Sequence, residues 1–177
     1  MTAISYGTRA AGITALWILV RGIACARSRS FRIKREAELL LVYICLLVVV
    51  RCTFCPFETV NGKIQPLLLD PEQLYPFRIN LIPFVNLLDY PELRPILLNV
   101  IGNTAMFLPI GIIFPGVFRE LNTHGKAIAA GVGLSLTIEI LQLPFFDRVT
   151  DIDDLILNSL GYLLGYGIFL LLRKRRG

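Results

Sequence analysis

GVGLSLTIEILQLPFFDRVTDIDDLILNSLGYLLG, residues 131–165, is the stretch whose reading decides the fold. Two strongly apolar runs flank a short charged hinge that carries Asp147, Arg148, Asp151, Asp153 and Asp154. The first run holds Ser135, Glu139 and Gln142, and the second opens with Asn158. Spacings of three and four residues put Ser135, Glu139 and Gln142 on one helix face. Facing lipid, the acid alone would cost on the order of 3 kcal/mol. The stripe therefore turns inward, and an intramembrane carboxylate is a functional-site candidate.

Outward from this stretch the same texture repeats. Of 177 residues, 55% are hydrophobic and 18% charged, and the mean hydropathy is +0.65. This is the composition of a polytopic membrane protein rather than a soluble domain. The apolar runs fall at about 10–26, 37–57, 96–118, 127–146 and 155–172. The spacing predicts an all-α, polytopic membrane helical bundle of four core transmembrane helices preceded by one N-terminal hydrophobic segment. The first run contains Arg21, which is expected to snorkel. It precedes its basic cluster, the reverse of a secretory signal, so it reads as a retained helix. Between the second and third runs, residues 58–95 are too polar to span and carry six prolines, which rules out a long internal helix. That loop is expected to fold back over the bundle, bringing in the patch Asn80-Leu81-Ile82-Pro83-Phe84.

Charge sets the expected topology. Eleven basic residues lie at Arg27–Arg35, at Arg119 and Lys126, and at Arg173–Arg176. Each group flanks an apolar run, as cytoplasmic loops do under the positive-inside rule. The C-terminus is then cytoplasmic, and the 58–95 loop and 147–154 hinge are extracytoplasmic. The net charge of +5 is thereby explained without nucleic acid, for which no recognition module is present. The chain divides into residues 1–36, an N-terminal hydrophobic segment with a basic loop; 37–172, the transmembrane domain; and 173–177, a basic tail. Cys52 and Cys55 read as small buried apolar residues, and the single His124 as a turn residue.

Asn99 and Asn103 share a face of the third helix, and with Asn158 they are the expected partners of Glu139. Such groups also serve as interhelical hydrogen-bond glue, worth about 0.6–2 kcal/mol each. Thr150 or Asp151 caps the last helix, but three acids in four residues exceed what capping requires. Clustered carboxylates invite Arg148, Arg78 or a hard cation as counter-charge, yet no ligand spacing assigns a metal, and no cofactor motif is present. Gly161-x-x-x-Gly165 predicts close helix packing.

These pieces in sequence resemble the VanZ-like family, named for a teicoplanin-resistance protein. They are Asn80-Leu81-Ile82-Pro83-Phe84; Asn99-x-x-Gly102-Asn103-x-x-x-Phe107-x-Pro109-x-Gly111; Ser135-x-x-x-Glu139-x-x-Gln142; and Arg148-x-x-Asp151-x-Asp153-Asp154-x-x-x-Asn158-x-x-Gly161. The resemblance implies a four-helix membrane domain associated with the cell envelope and with lowered glycopeptide susceptibility.

The expected function is an outward-facing polar pocket that binds or modifies a lipid-linked or amphiphilic ligand at the cell membrane. Its residues are Asn80, Asn99, Asn103, Ser135, Glu139, Gln142, Arg148, Asp151, Asp153, Asp154 and Asn158. An enzymatic version makes Glu139 a general base, with Asp153 or Asp154 in an acid or metal-holding role. A transporter version makes Glu139 a proton carrier, and a structural module assigns these groups no chemistry.

Overall fold

The computed structural model describes residues 2–4, 6–28, 32–54, 59–60, 63–64, 67–69, 78–85, 92–121, 123–145 and 149–175. Five long helices dominate it: α1 (Tyr6–Ser28), α2 (Ile33–Phe54), α3 (Leu93–Val117), α4 (His124–Gln142) and α5 (Ile152–Lys174). Each helix overlaps one predicted apolar run. Short strands β1 (Thr2–Ile4), β2 (Thr59–Val60), β3 (Lys63–Ile64), β4 (Leu67–Leu69), β5 (Ile79–Asn80) and β6 (Thr150–Asp151) decorate the connections. The first four form antiparallel pairs, β1 with β4 and β2 with β3, and β2, β3 and β4 fall within the stretch expected to be loop.

Helices α1, α2, α3 and α5 are long and apolar enough to cross a membrane. Helix α4 has 19 residues and is not among those four. The polar stripe singled out above lies on it. The outer faces of the helices carry exposed Leu16, Leu19, Leu98, Ile101, Leu136, Ile140, Leu164 and Leu171, while Ser135, Glu139, Gln142, Asp153 and Asn158 are buried. Apolar outside with polar groups inside is the arrangement a bilayer selects. The protein is a multi-pass membrane helical bundle.

The chain forms two compact units, residues 1–69 and 70–177. In the first, Arg21 does more than snorkel. Its Nε donates to Glu36 Oε2 at 2.9 Å and its Nη2 bonds Glu36 Oε1, so the guanidinium grips the carboxylate with two bonds. Thr14 and Tyr43 hydroxyls meet at 2.6 Å, and Trp17 packs on the Tyr43 ring. Arg51 sits 5.7 Å from the centroid of Tyr6, a cation–π contact.

In the second unit α3 and α5 touch backbone to backbone. A Cβ on Gly161 would overlap the Thr104 carbonyl, one on Gly165 the Leu108 carbonyl, and one on Gly111 the Tyr162 carbonyl. The predicted Gly161-x-x-x-Gly165 contact is therefore real, and Gly111 completes it from the facing helix. Small residues permit this approach, which lets dispersion substitute for the hydrophobic drive that lipid removes. Helix α4 joins through Gly131, against whose Cα the Tyr162 ring lies flat enough that no side chain fits. Pro109 and Pro115 both lie inside the continuous α3.

Candidate functional site

The buried face of α4 is Ala127, Gly131, Ser135, Ile138, Glu139 and Gln142, a run at spacings of three and four. It begins apolar and ends polar, so its polar half meets the start of α5. There Asp151 caps the helix: its side chain accepts from the Asp153 amide at 3.0 Å. Asp153 and Asp154 follow in the first turn, where the helix dipole favours negative charge.

Each carboxylate then reaches a different element. Glu139, 2% exposed, accepts from the Asp151 amide at 3.2 Å through Oε2, and its backbone carbonyl accepts from the Thr150 hydroxyl at 2.9 Å. Asp154 Oδ1 accepts from Asn103 Nδ2 at 2.6 Å, and the same amide group donates to Asn99 Oδ1 at 3.3 Å. Asp151 Oδ1 accepts from Asn80 Nδ2 at 3.1 Å. Asp153 Oδ1 accepts from the Phe84 amide at 2.7 Å. Deeper in the bundle, Asn158 Nδ2 donates to Ser135 Oγ at 3.1 Å.

The docking of residues 78–85 is what the expected fold-back looks like in atoms. Ile79 and Asn80 pair in parallel with Thr150 and Asp151, and the Thr150 amide donates to the Arg78 carbonyl at 2.9 Å. Asn80 Oδ1 accepts from the Ile82 amide at 3.1 Å, which shapes the following turn. Phe84 then adopts φ 65°, a left-handed conformation that a bulky residue avoids at a cost of about 1–2 kcal/mol. The Asp153 bond to its amide helps hold it there. The turn leaves Leu81, Ile82, Phe84 and Val85 exposed.

Ten of the eleven expected site residues are thus described, and nine are tied by these bonds into connected arms. Gln142 is buried at 5% on the same face as Glu139. Arg148 lies outside the described residues. Two details differ from expectation. Asn103 and Asn158, expected around Glu139, make their bonds to Asp154 and Ser135, while Glu139 is met by the hinge backbone. The centre of the arrangement is therefore the Asp151–Asp154 turn, with Glu139 bracing it from below. Apart from the Thr150 hydroxyl, the donors in these bonds are neutral amides.

Four buried polar atoms have no hydrogen-bond partner among the described residues: Asp153 Oδ2, Asn158 Oδ1, Tyr162 OH and Thr104 Oγ1. A buried polar atom left so costs about 1–3 kcal/mol, more if charged. Asp153 stands out, being 3% exposed with one oxygen bound and the other unpartnered. Among the described residues no group of three or more His, Cys, Asp or Glu could hold a metal ion.

His124 proves more than a turn residue. Its Nδ1 meets the Tyr166 hydroxyl at 2.8 Å across α4 and α5, at the end of the bundle away from the acids. Sequence reasoning missed this because the two lie 42 positions apart and a lone aromatic on an apolar helix carries no pairing signal.

A profile of the family described as VanZ/LLP1 matches residues 40–173. Protein VanZ of Enterococcus faecium is 32% identical over 112 residues, which is 63% of this chain and 65% of that protein. The match thus covers just under two thirds of the relative's length. No solved structure matches the chain.

Proposed function

The chain belongs to the VanZ/LLP1 family, and on that premise we propose that it binds the headgroup of an amphiphile at the outer leaflet and so lowers teicoplanin susceptibility. Asp153 carries the reading. One of its oxygens holds the Phe84 amide, and with it a turn of exposed apolar side chains; the other is buried without a partner. An amphiphile needs apolar and polar surfaces side by side, and this one carboxylate joins the two. Because the unpartnered Asp153 oxygen is an acceptor in an acidic turn, with Asp151 and Asp154 beside it in sequence, the complementary headgroup is a hydrogen-bond donor, above all a primary ammonium. Candidates of that chemistry include a lipid-linked wall precursor, an aminated phospholipid and a lipophilic glycopeptide. Asn80, Asn99, Asn103, Ser135, Gln142 and Asn158 act as positioning residues.

The topology that goes with this reading has the hinge and the 58–95 loop outside and the C-terminus in the cytoplasm, by the distribution of Arg and Lys. The test is the teicoplanin susceptibility of a sensitive host expressing wild type or Asp153→Asn at matched membrane abundance. Asparagine preserves the acceptor for Phe84 and removes only the charge and the second acceptor. The expected result is loss of protection, corresponding to at least about a tenfold weaker interaction. Full protection by the variant would remove Asp153 from the function.

A further inference from the structure

Thr123, His124, Tyr166, Leu170, Arg173 and Lys174 line a cleft of about 590 Å³ between the start of α4 and the end of α5. None of the six is acidic, and two are permanent cations. The cleft belongs to the bundle end opposite the Asp151–Asp154 turn, so the acid site does not account for it. Its volume falls within the range of small-ligand sites.

The floor is organised rather than incidental. Tyr166 is buried, stacks on Phe169 at 6.2 Å, and holds His124 Nδ1 through its hydroxyl. With Nδ1 engaged, Nε2 is the imidazole nitrogen left for a ligand. Thr123 caps α4, its hydroxyl accepting from the Lys126 amide at 3.3 Å. Arg173 supplies a planar fork of donors and Lys174 a point charge, the pairing that suits phosphate oxygens. Leu170 gives the wall one apolar segment, which fits the glycerol part of a phosphodiester better than a bare ion.

We infer that this cleft is a phosphate-oxyanion site that takes the headgroup of an anionic phospholipid or a soluble phosphate ester of the same size. It stands independently of the role proposed for Asp153. A general attraction of basic tails to anionic membranes would treat all tail cations alike. A site distinguishes those that line it. Arg175, exposed and one residue beyond the lining, is the internal control.

The test uses the purified full chain in uncharged detergent, titrated with short-chain phosphatidylglycerol, short-chain phosphatidylcholine and glycerol phosphate. Wild type is expected to bind phosphatidylglycerol in preference to phosphatidylcholine. Arg173→Gln and His124→Ala should each weaken that binding, the former by at least about tenfold, while Arg175→Gln changes it by less than about twofold. Competition by glycerol phosphate would identify a soluble ester as an accepted source; its failure to compete would assign the site to lipid. Equal losses for Arg173→Gln and Arg175→Gln, or none for either, would overturn the inference. Thermal unfolding of each variant separates a lost site from a lost fold.

Discussion

The two ends of α5 present opposite chemistry on one rod. The first turn, at Asp151–Asp154, is acidic, has Asp153 buried and the rest half-buried, and is bonded to residues 78–85 and the end of α4. The last turn, at Arg173 and Lys174, is exposed, basic and open to a cleft. Over 23 residues, roughly 34 Å of helix, the environment passes from acceptor-rich to donor-rich. Both ends suit the helix dipole, yet the dipole explains neither the buried unpartnered oxygen at one end nor the tethered imidazole at the other. A charge that merely complements a dipole stays in solvent. A charge that is built into a site has neighbours that fix it.

The rod itself gives the largest expected effect. Gly161→Leu would drive a side chain into the Thr104 carbonyl, forcing α3 and α5 apart at a cost of about 3 kcal/mol or more. It should abolish both ends together, seen as loss of a cooperative melt and of monodisperse protein. If one end kept its binding, the ends would not share a scaffold. Next comes Asn103→Ala, which strips Asp154 of its 2.6 Å donor and should destabilise by about 1.5–3 kcal/mol on thermal unfolding. It should leave the basic cleft's binding unchanged. Ser135→Ala removes the acceptor for Asn158 at the mid-depth of the bundle, and should cost about 1 kcal/mol in the same assay. Smallest is Phe84→Gly, which relieves the left-handed strain but loses an exposed ring. It should change stability by less than about 1 kcal/mol while reducing protection against teicoplanin, because it removes apolar surface and not the fold.

What could be read in advance follows from how local each signal is. The face of α4 was legible because Ser135, Glu139 and Gln142 interrupt a hydrocarbon-length run at helical spacing. Asp151 as a cap and Gly161-x-x-x-Gly165 as a contact were legible for the same reason: each is contained in one turn or two. The partners were not. Nothing near Asn80 states that a two-residue strand will lie parallel to Thr150 and Asp151, and nothing near Phe84 marks it for a left-handed turn. Arg21 read alone is a snorkelling cation, and only the packing of α1 on α2 delivers Glu36 to it. Long-range pairing is decided by which faces meet, and that information is spread over the bundle.

In the proposed topology the acid end opens away from the cytoplasm and the basic end toward it. With Cys25, Cys45, Cys52 and Cys55 replaced by serine, single cysteines at Ile82→Cys and Gly125→Cys would be labelled in intact cells by a membrane-impermeant maleimide. The expected result is labelling of position 82 in whole cells and of position 125 only after the membrane is breached. Labelling of 125 from outside with 82 protected would reverse the bundle, and the outer-leaflet role of Asp153 would fall with it.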